Sequence, residues 1–310
     1  MNDTKARRML FMVVAVAAVS IVAVAATSPE RARLSVAVAE PNIQAIVRAV
    51  GGNEVDTFSL FKGCILRENL MVERAAEGRL AKANAIVWTG FLNESAAITA
   101  SLEKQSTTTK GLGRASQWID VSRGAARANI PTSPCFGNLD PKSMSGDPFF
   151  WLNPENGSII ARNVAEGLGA LQPQNRAYFL ANAAAFKAAL DKDIIRWKAE
   201  LKPLRNLRIF SAQCGWQNFS KLGGPTFVVC KGDLGSLPTP EHLVDRVKEM
   251  KAQIVIVDPN TPPEYGNVLR EKSGARVIEV ASSIENLPGA DSYSTLFENF
   301  VQALQRAAKN

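Results

Sequence analysis

Metal centres and nucleophilic sites are built from histidine, cysteine and clustered carboxylates, and this chain holds one histidine and four cysteines. The histidine, His242, stands at the start of a predicted second-half helix, where a lone imidazole reads as a surface residue. Any centre that needs two imidazoles is excluded by composition, and a Ser–His or Cys–His nucleophile pair has nothing to build on. Cys64, Cys135, Cys214 and Cys230 fall as one pair in each half of the chain. Their spacing lacks the tight C-x₂₋₄-C pairing of a zinc site. Two readings stand: disulfides Cys64–Cys135 and Cys214–Cys230, or reduced thiols in which Cys64, Cys135 and Cys214 hold a soft ion such as copper(I). The sequence has no G-x-S-x-G elbow, no G-x-x-x-x-G-K-[ST] phosphate loop and no G-x-G-x-x-G fingerprint, so no enzymatic activity is expected.

The compartment bears on the thiols. Lys5, Arg7 and Arg8 precede an uncharged stretch from Met9 to Ala26, and Ala23-Val24-Ala25 fits the small-x-small pattern of signal cleavage. That stretch also approaches the roughly 18–20 residues that cross a bilayer. A cleaved signal peptide over 1–26 and an uncleaved membrane anchor through residues 9–26 therefore both remain open. Either way the remainder is expected outside the cytoplasm, periplasmic or extracytoplasmic, soluble or tethered. Hydrophobic residues make up 46% and charged residues 21%, a globular composition. The formal charge of +7 owes part to the N-terminus, and the other basic residues are scattered, without the basic run or aromatic interleaving of a nucleic-acid binder.

The elements that would position these residues alternate. Apolar runs at 34–38, 55–61 and 85–88 read as strands, separated by helical patterns at 42–50 and 70–83. The stretch 102–128 is ambiguous, with a possible strand at 118–121, and 129–147 is a Pro/Ser/Gly/Asn-rich loop. Helices follow at 156–168 and 174–201. Strands at 207–210, 225–229, 254–257 and 276–280 alternate with helices at 240–252 and 263–272, before a closing helix at 292–307. This order predicts an α/β protein of two lobes, each a mostly parallel sheet with flanking helices, joined by one long rigid helix. The expected units are a lobe at 30–170, the linking helix at 171–203 and a second lobe at 204–310. Ligands of such sheets bind beyond the carboxyl ends of the strands, here in the cleft between lobes.

Three stretches carry a family resemblance. Leu80 to Glu94 (LAKANAIVWTGFLNE) is similar to an L-A-x-A-D-hydrophobic-aromatic-N-G-x-x-x-E segment; Asp147 to Asn156 (DPFFWLNPEN) matches D-P-H-x-W-x-D-P-x-N; Leu237-Pro238-Thr239-Pro240 followed by Ile254 to Pro259 resembles the same family's second lobe. Together they make the chain resemble the periplasmic metal-binding proteins that serve ABC importers of zinc and manganese. The resemblance implies a solute receptor, importer membrane subunits as partners and a divalent metal as the solute. It also implies four ligand positions, which fall here on Glu68, Phe149, Ala212 or Gln213, and Ala281. Glu68 alone retains a donor of the family's type, so the metal site reads as degenerate and no cofactor is expected.

Residues mapping to the cleft are Cys64, Glu68, Phe149, Phe150, Trp151, Gln213, Cys214 and Trp216. Aromatic faces with a few polar anchors would orient a small organic molecule, a cation included; equally, the aromatics would fill the space a metal site vacated. Three functions follow: a receptor with a changed ligand, a thiol-based copper binder, or a non-transporting scaffold or docking subunit of a membrane complex. Asp147 and Asn153 beside prolines are expected to shape turns, and Glu94 to bond backbone at the cleft floor.

Overall fold

Apart from Ser35, Leu34–Val38 is apolar and buried, as a central strand of a parallel sheet must be. The computed structural model describes residues 33–62, 70–108, 117–127, 147–211, 215–229, 239–288 and 290–309. In it β1 (Leu34–Val38) lies between β2 (Val55–Ser59) and β3 (Ala85–Trp88), and β4 (Gln117–Asp120) completes a parallel sheet of order β2-β1-β3-β4. The crossovers are α1 (Pro41–Gly51), α2 (Arg74–Leu80) and α3 (Leu92–Thr108). α4 (Glu155–Leu171) and the long α5 (Arg176–Leu201) follow. The second sheet has the same plan, order β6-β5-β7-β8, from β5 (Arg208–Ser211), β6 (Thr226–Val229), β7 (Ile254–Val257) and β8 (Arg276–Glu279). α6 (Pro240–Glu249), α7 (Pro263–Lys272) and α8 (Tyr293–Lys309) flank it. Two parallel α/β lobes and one long helix is the architecture predicted.

α5 earns its length by packing on both lobes. At 1.5 Å per residue its 26 residues run roughly 39 Å. Its buried positions, Phe179, Ala183, Leu190, Ile194, Trp197 and Leu201, recur every three, four or seven residues and form one stripe. The first half lies on α1 and α4, where Asn182 Nδ2 donates to Val50 O at 2.9 Å. The second half lies on α8, where Trp197 meets Phe297 at 5.4 Å and donates from Nε1 to Glu298 Oε2 at 3.0 Å. One apolar core runs from the first sheet through α1, α4, α5 and α8; a smaller one fills the space between the second sheet and α6 and α7.

Boundaries differ from the sequence expectations in instructive places. The helix expected over 70–83 begins only at Arg74, and the strand expected to reach Phe61 ends at Ser59. α3 had no counterpart among the predicted elements. Its buried face consists of Glu94, Ile98 and Ser101, two of them polar, so the helical period left no apolar trace.

Candidate site between the lobes

Both sheets point their strand ends toward a common region, and side chains there are fixed by short local bonds. After β3, Thr89 N–H donates to Glu94 Oε2 at 2.8 Å, tying the first turn of α3 back to the strand end. Glu94 is fully buried, its other oxygen has no hydrogen-bond partner among the described residues, and burial pushes its carboxyl up to about 7 against the Thr89 bonds and the nearby Arg127. Arg127 donates from Nη2 to Thr89 O at 3.0 Å and lies over the rings of Phe91 (4.9 Å) and Phe150 (5.1 Å). After β1, Glu40 caps α1 by accepting from Asn42 N–H at 3.2 Å, with Pro41 as the first helical residue.

The Asp147-Pro148 turn is an Asx turn: Asp147 Oδ1 accepts from Phe149 N–H at 2.8 Å, and Asn153 Oδ1 does the same for Glu155 N–H at 3.1 Å. Asp147 does more than shape the turn. Its Oδ2 accepts from Gln217 Nε2 at 2.8 Å and Asn218 Nδ2 at 3.0 Å, both in the 3₁₀ turn Trp216–Leu222 that follows β5. Burial raises the Asp147 carboxyl, and these donors work against that rise. A second tie lies at α1: Asn42 Nδ2 donates to Ser282 O at 3.0 Å while its Oδ1 accepts from Ile284 N–H at 2.9 Å. Asp258, at the end of β7, accepts from Ser282 N–H and Oγ and so holds the segment after β8 in place.

Of the sequence-derived site residues, Phe150, Trp151 and Trp216 are at most 1% exposed and belong to the core. Phe149 is half-buried, edge-on to Trp151 at 5.7 Å and seated against Gly215. Ala281 follows β8 and is buried. His242 is exposed, its N–H donating to Thr239 Oγ1 at 3.3 Å. Cys64, Glu68, Cys135, Ala212, Gln213, Cys214 and Cys230, and the signal or anchor segment, lie outside the described residues. Among the described residues no three His, Cys, Asp or Glu side chains gather to hold a metal ion, and no helix is long and apolar enough to cross a membrane. The two ties between the sheets, through Asn42 and Asp147, had no warning beyond a polar residue next to a proline.

Gly215 is the tightest backbone position of the region. Its φ is +116°, and a Cβ there would stand 2.6 Å from Leu152 Cδ1 and 3.1 Å from Phe149 Cβ. Gly215→Ala is expected to cost about 2–4 kcal/mol, from backbone strain and overpacking together. Urea unfolding checks this, and a loss below about 0.5 kcal/mol would mean that Phe149 and Leu152 yield freely.

The sequence pattern of the zinc-uptake complex component A periplasmic family (ZnuA) matches residues 36–307. Over 165 residues the chain is 27% identical to the high-affinity zinc uptake system protein ZnuA of Brucella abortus, covering 51% of this chain and 49% of that protein. Over 118 residues it is 30% identical to the manganese ABC transporter substrate-binding lipoprotein PsaA of Streptococcus pneumoniae, covering 36% and 38%. These matches thus span half or less of the relatives' length. Among solved structures, a crystal structure of ZnuA superposes with a TM-score of 0.69 at 21% identity, over 89% of this chain and 99% of that one. Zn(II)-bound AdcA from Streptococcus pneumoniae gives 0.67 at 16% identity, over 90% and 58%. These likenesses establish the fold.

Proposed function

We propose that this chain, which belongs to the zinc-uptake complex component A periplasmic (ZnuA) family, is an exported solute receptor for an ABC importer whose cleft does not hold zinc through a histidine set. The family is one of substrate-binding proteins, and the chain is accordingly not an enzyme. One observation carries the finer reading: the chain's single histidine, His242, is exposed at the start of α6. Zinc and manganese relatives-by-fold need clustered nitrogen and oxygen donors. Here Phe149 and Ala281 occupy two of the positions that the family resemblance assigns to donors, and neither side chain can bind a cation through a lone pair. The solute is therefore a different one, and delivery runs to the membrane subunits of an importer.

Titration of the purified protein, prepared without a histidine tag, with zinc, manganese and copper(I) tests this. The expected result is no stoichiometric zinc or manganese and no thermal shift with either. Sub-micromolar zinc binding would overturn the reading and direct attention to Glu68 with the cysteines. Stoichiometric copper(I) would overturn it in favour of a thiol site at Cys64, Cys135 and Cys214.

A second reading, a docking subunit that no longer transports, is favoured by the ties between the sheets. Asp147 to Gln217 and Asn218, Asn42 to Ser282 and Ile284, and Phe149 against Gly215 tie the two lobes directly to each other. Transport assays with the cognate importer separate the two: a receptor stimulates its ATPase, whereas a docking subunit binds without doing so.

A further inference from the structure

α1 belongs to the first lobe, yet it packs on the 3₁₀ turn Ile284–Asn286 of the second. Buried Asn42 bonds that segment twice, donating to Ser282 O and accepting from Ile284 N–H. Two residues earlier, at the end of β1, the buried Glu40 carboxyl accepts from the backbone N–H of the same Asn42. One residue therefore connects an ionisable group to the opposite lobe.

The groups that bear on Glu40 come from both lobes. Glu94, in the first turn of α3, and exposed Glu285, in the 3₁₀ turn across the seam, each raise its carboxyl. Arg127 acts on Glu94 in the opposite sense. Asp258, at the end of β7, is engaged with Ser282 N–H and Oγ. Ionising Glu40 in this arrangement desolvates a charge and sets it against Glu285 across the seam. The cap bond to Asn42 pulls the other way and is the smaller effect, because the carboxyl stands at about 8. Both penalties fall when the segment leaves α1, since water then reaches Glu40 and Glu285 recedes. The seam also holds an unsatisfied group: Ser283 Oγ is buried with no hydrogen-bond partner among the described residues, and water would satisfy it.

We propose that Glu40 and the segment Ser282–Asn286 form a proton-operated latch between the lobes. With Glu40 protonated, α1 holds the segment through Asn42. When Glu40 releases its proton to solvent, the segment parts from α1 and that side of the cleft opens while both sheets stay folded. The inference does not depend on which solute the cleft holds.

The Ile284 amide, bonded to Asn42 across the seam, reports the latch; the Leu60 amide, bonded to Val38 O at 2.8 Å within the first lobe, reports the fold. Hydrogen exchange of the purified full chain is followed at both amides from pH 6 to pH 8 and corrected for the intrinsic exchange rate. Protection at Ile284 is expected to fall at least about tenfold over this range, one-proton linkage allowing at most about tenfold per pH unit, while Leu60 keeps its protection. Glu40→Gln keeps the acceptor for Asn42 N–H and should hold Ile284 at its pH 6 protection. Glu285→Gln, at an exposed position that leaves the cap intact, should restore part of the protection lost at pH 8. Protection at Ile284 that is flat with pH, that falls in step with Leu60, or that neither substitution restores would overturn the proposal.

Discussion

Trp216→Ala is expected to destabilise the protein by about 3–5 kcal/mol, the range for removing a fully buried aromatic side chain. Trp216 has no exposed surface. Its ring stacks on Phe300 at 3.8 Å with an interplanar angle of 5°, and stands edge-on to Phe219 at 6.1 Å and Phe297 at 6.4 Å. Phe219 in turn stacks on Phe297 at 5.6 Å, so the turn after β5 is joined to α8 through one aromatic block. Loss of the indole leaves a cavity bounded by rings that cannot collapse independently. Its Nε1–H has no acceptor among the described residues, and the effect is one of packing. Urea unfolding measures it directly. A variant that keeps wild-type stability would return Trp216 to the cleft surface as a residue available to a ligand.

The same residue shows where sequence reading succeeds and where it stops. The alternation of apolar strands and helices was legible because parallel sheets bury both faces, and Ile254–Val257 or Ala85–Trp88 announce themselves as unbroken apolar runs. The turning roles of Asp147 and Asn153 and the inward bond of Glu94 were legible too, because an Asp or Asn beside a proline has few other uses. Whether an aromatic side chain faces a cleft or a core was not legible. Their place in the chain maps Trp151 and Trp216 to the cleft, yet both side chains are buried in the core, because one step along the chain turns a side chain from one environment to the other. Long-range polar pairs were equally hidden: Asn42 and Ile284 are 242 residues apart, and nothing local to either marks the bond. The same holds for Arg127, whose position depends on Thr89 and Phe91 from the segment after β3 and on Phe150 from a second, distant one.

Buried carboxyls at the strand ends should make the protein more stable in mild acid than in mild base. Glu40 is 5% exposed, and its carboxyl is pushed up to about 8, first by burial and then by the negative charges of Glu94 and Glu285, against the Asn42 hydrogen bonds. Glu94 is pushed up to about 7 and Asp147 is raised as well, both chiefly by burial. In the unfolded chain a glutamate loses its proton near 4.5. Between that pH and the folded values the native state therefore holds protons that the unfolded state has released, and stability falls as pH rises. The stabilising contribution is complete below about 4.5 and gone above about 8. Glu298, held down at about 2 first by its bond from Arg196, works in the opposite sense, but its contribution is lost only below about 4.5, outside this window. Urea unfolding at pH 5 and pH 8 is expected to show the higher stability at pH 5. Glu40→Gln keeps the acceptor for Asn42 N–H and removes the ionisation, so at pH 8 it should exceed the wild type by about 2–4 kcal/mol, and at pH 5 the two should nearly coincide. A wild type equally stable at both pH values, with no gain from Glu40→Gln, would show that the carboxylate at the end of β1 is ionised in the folded protein and compensated there.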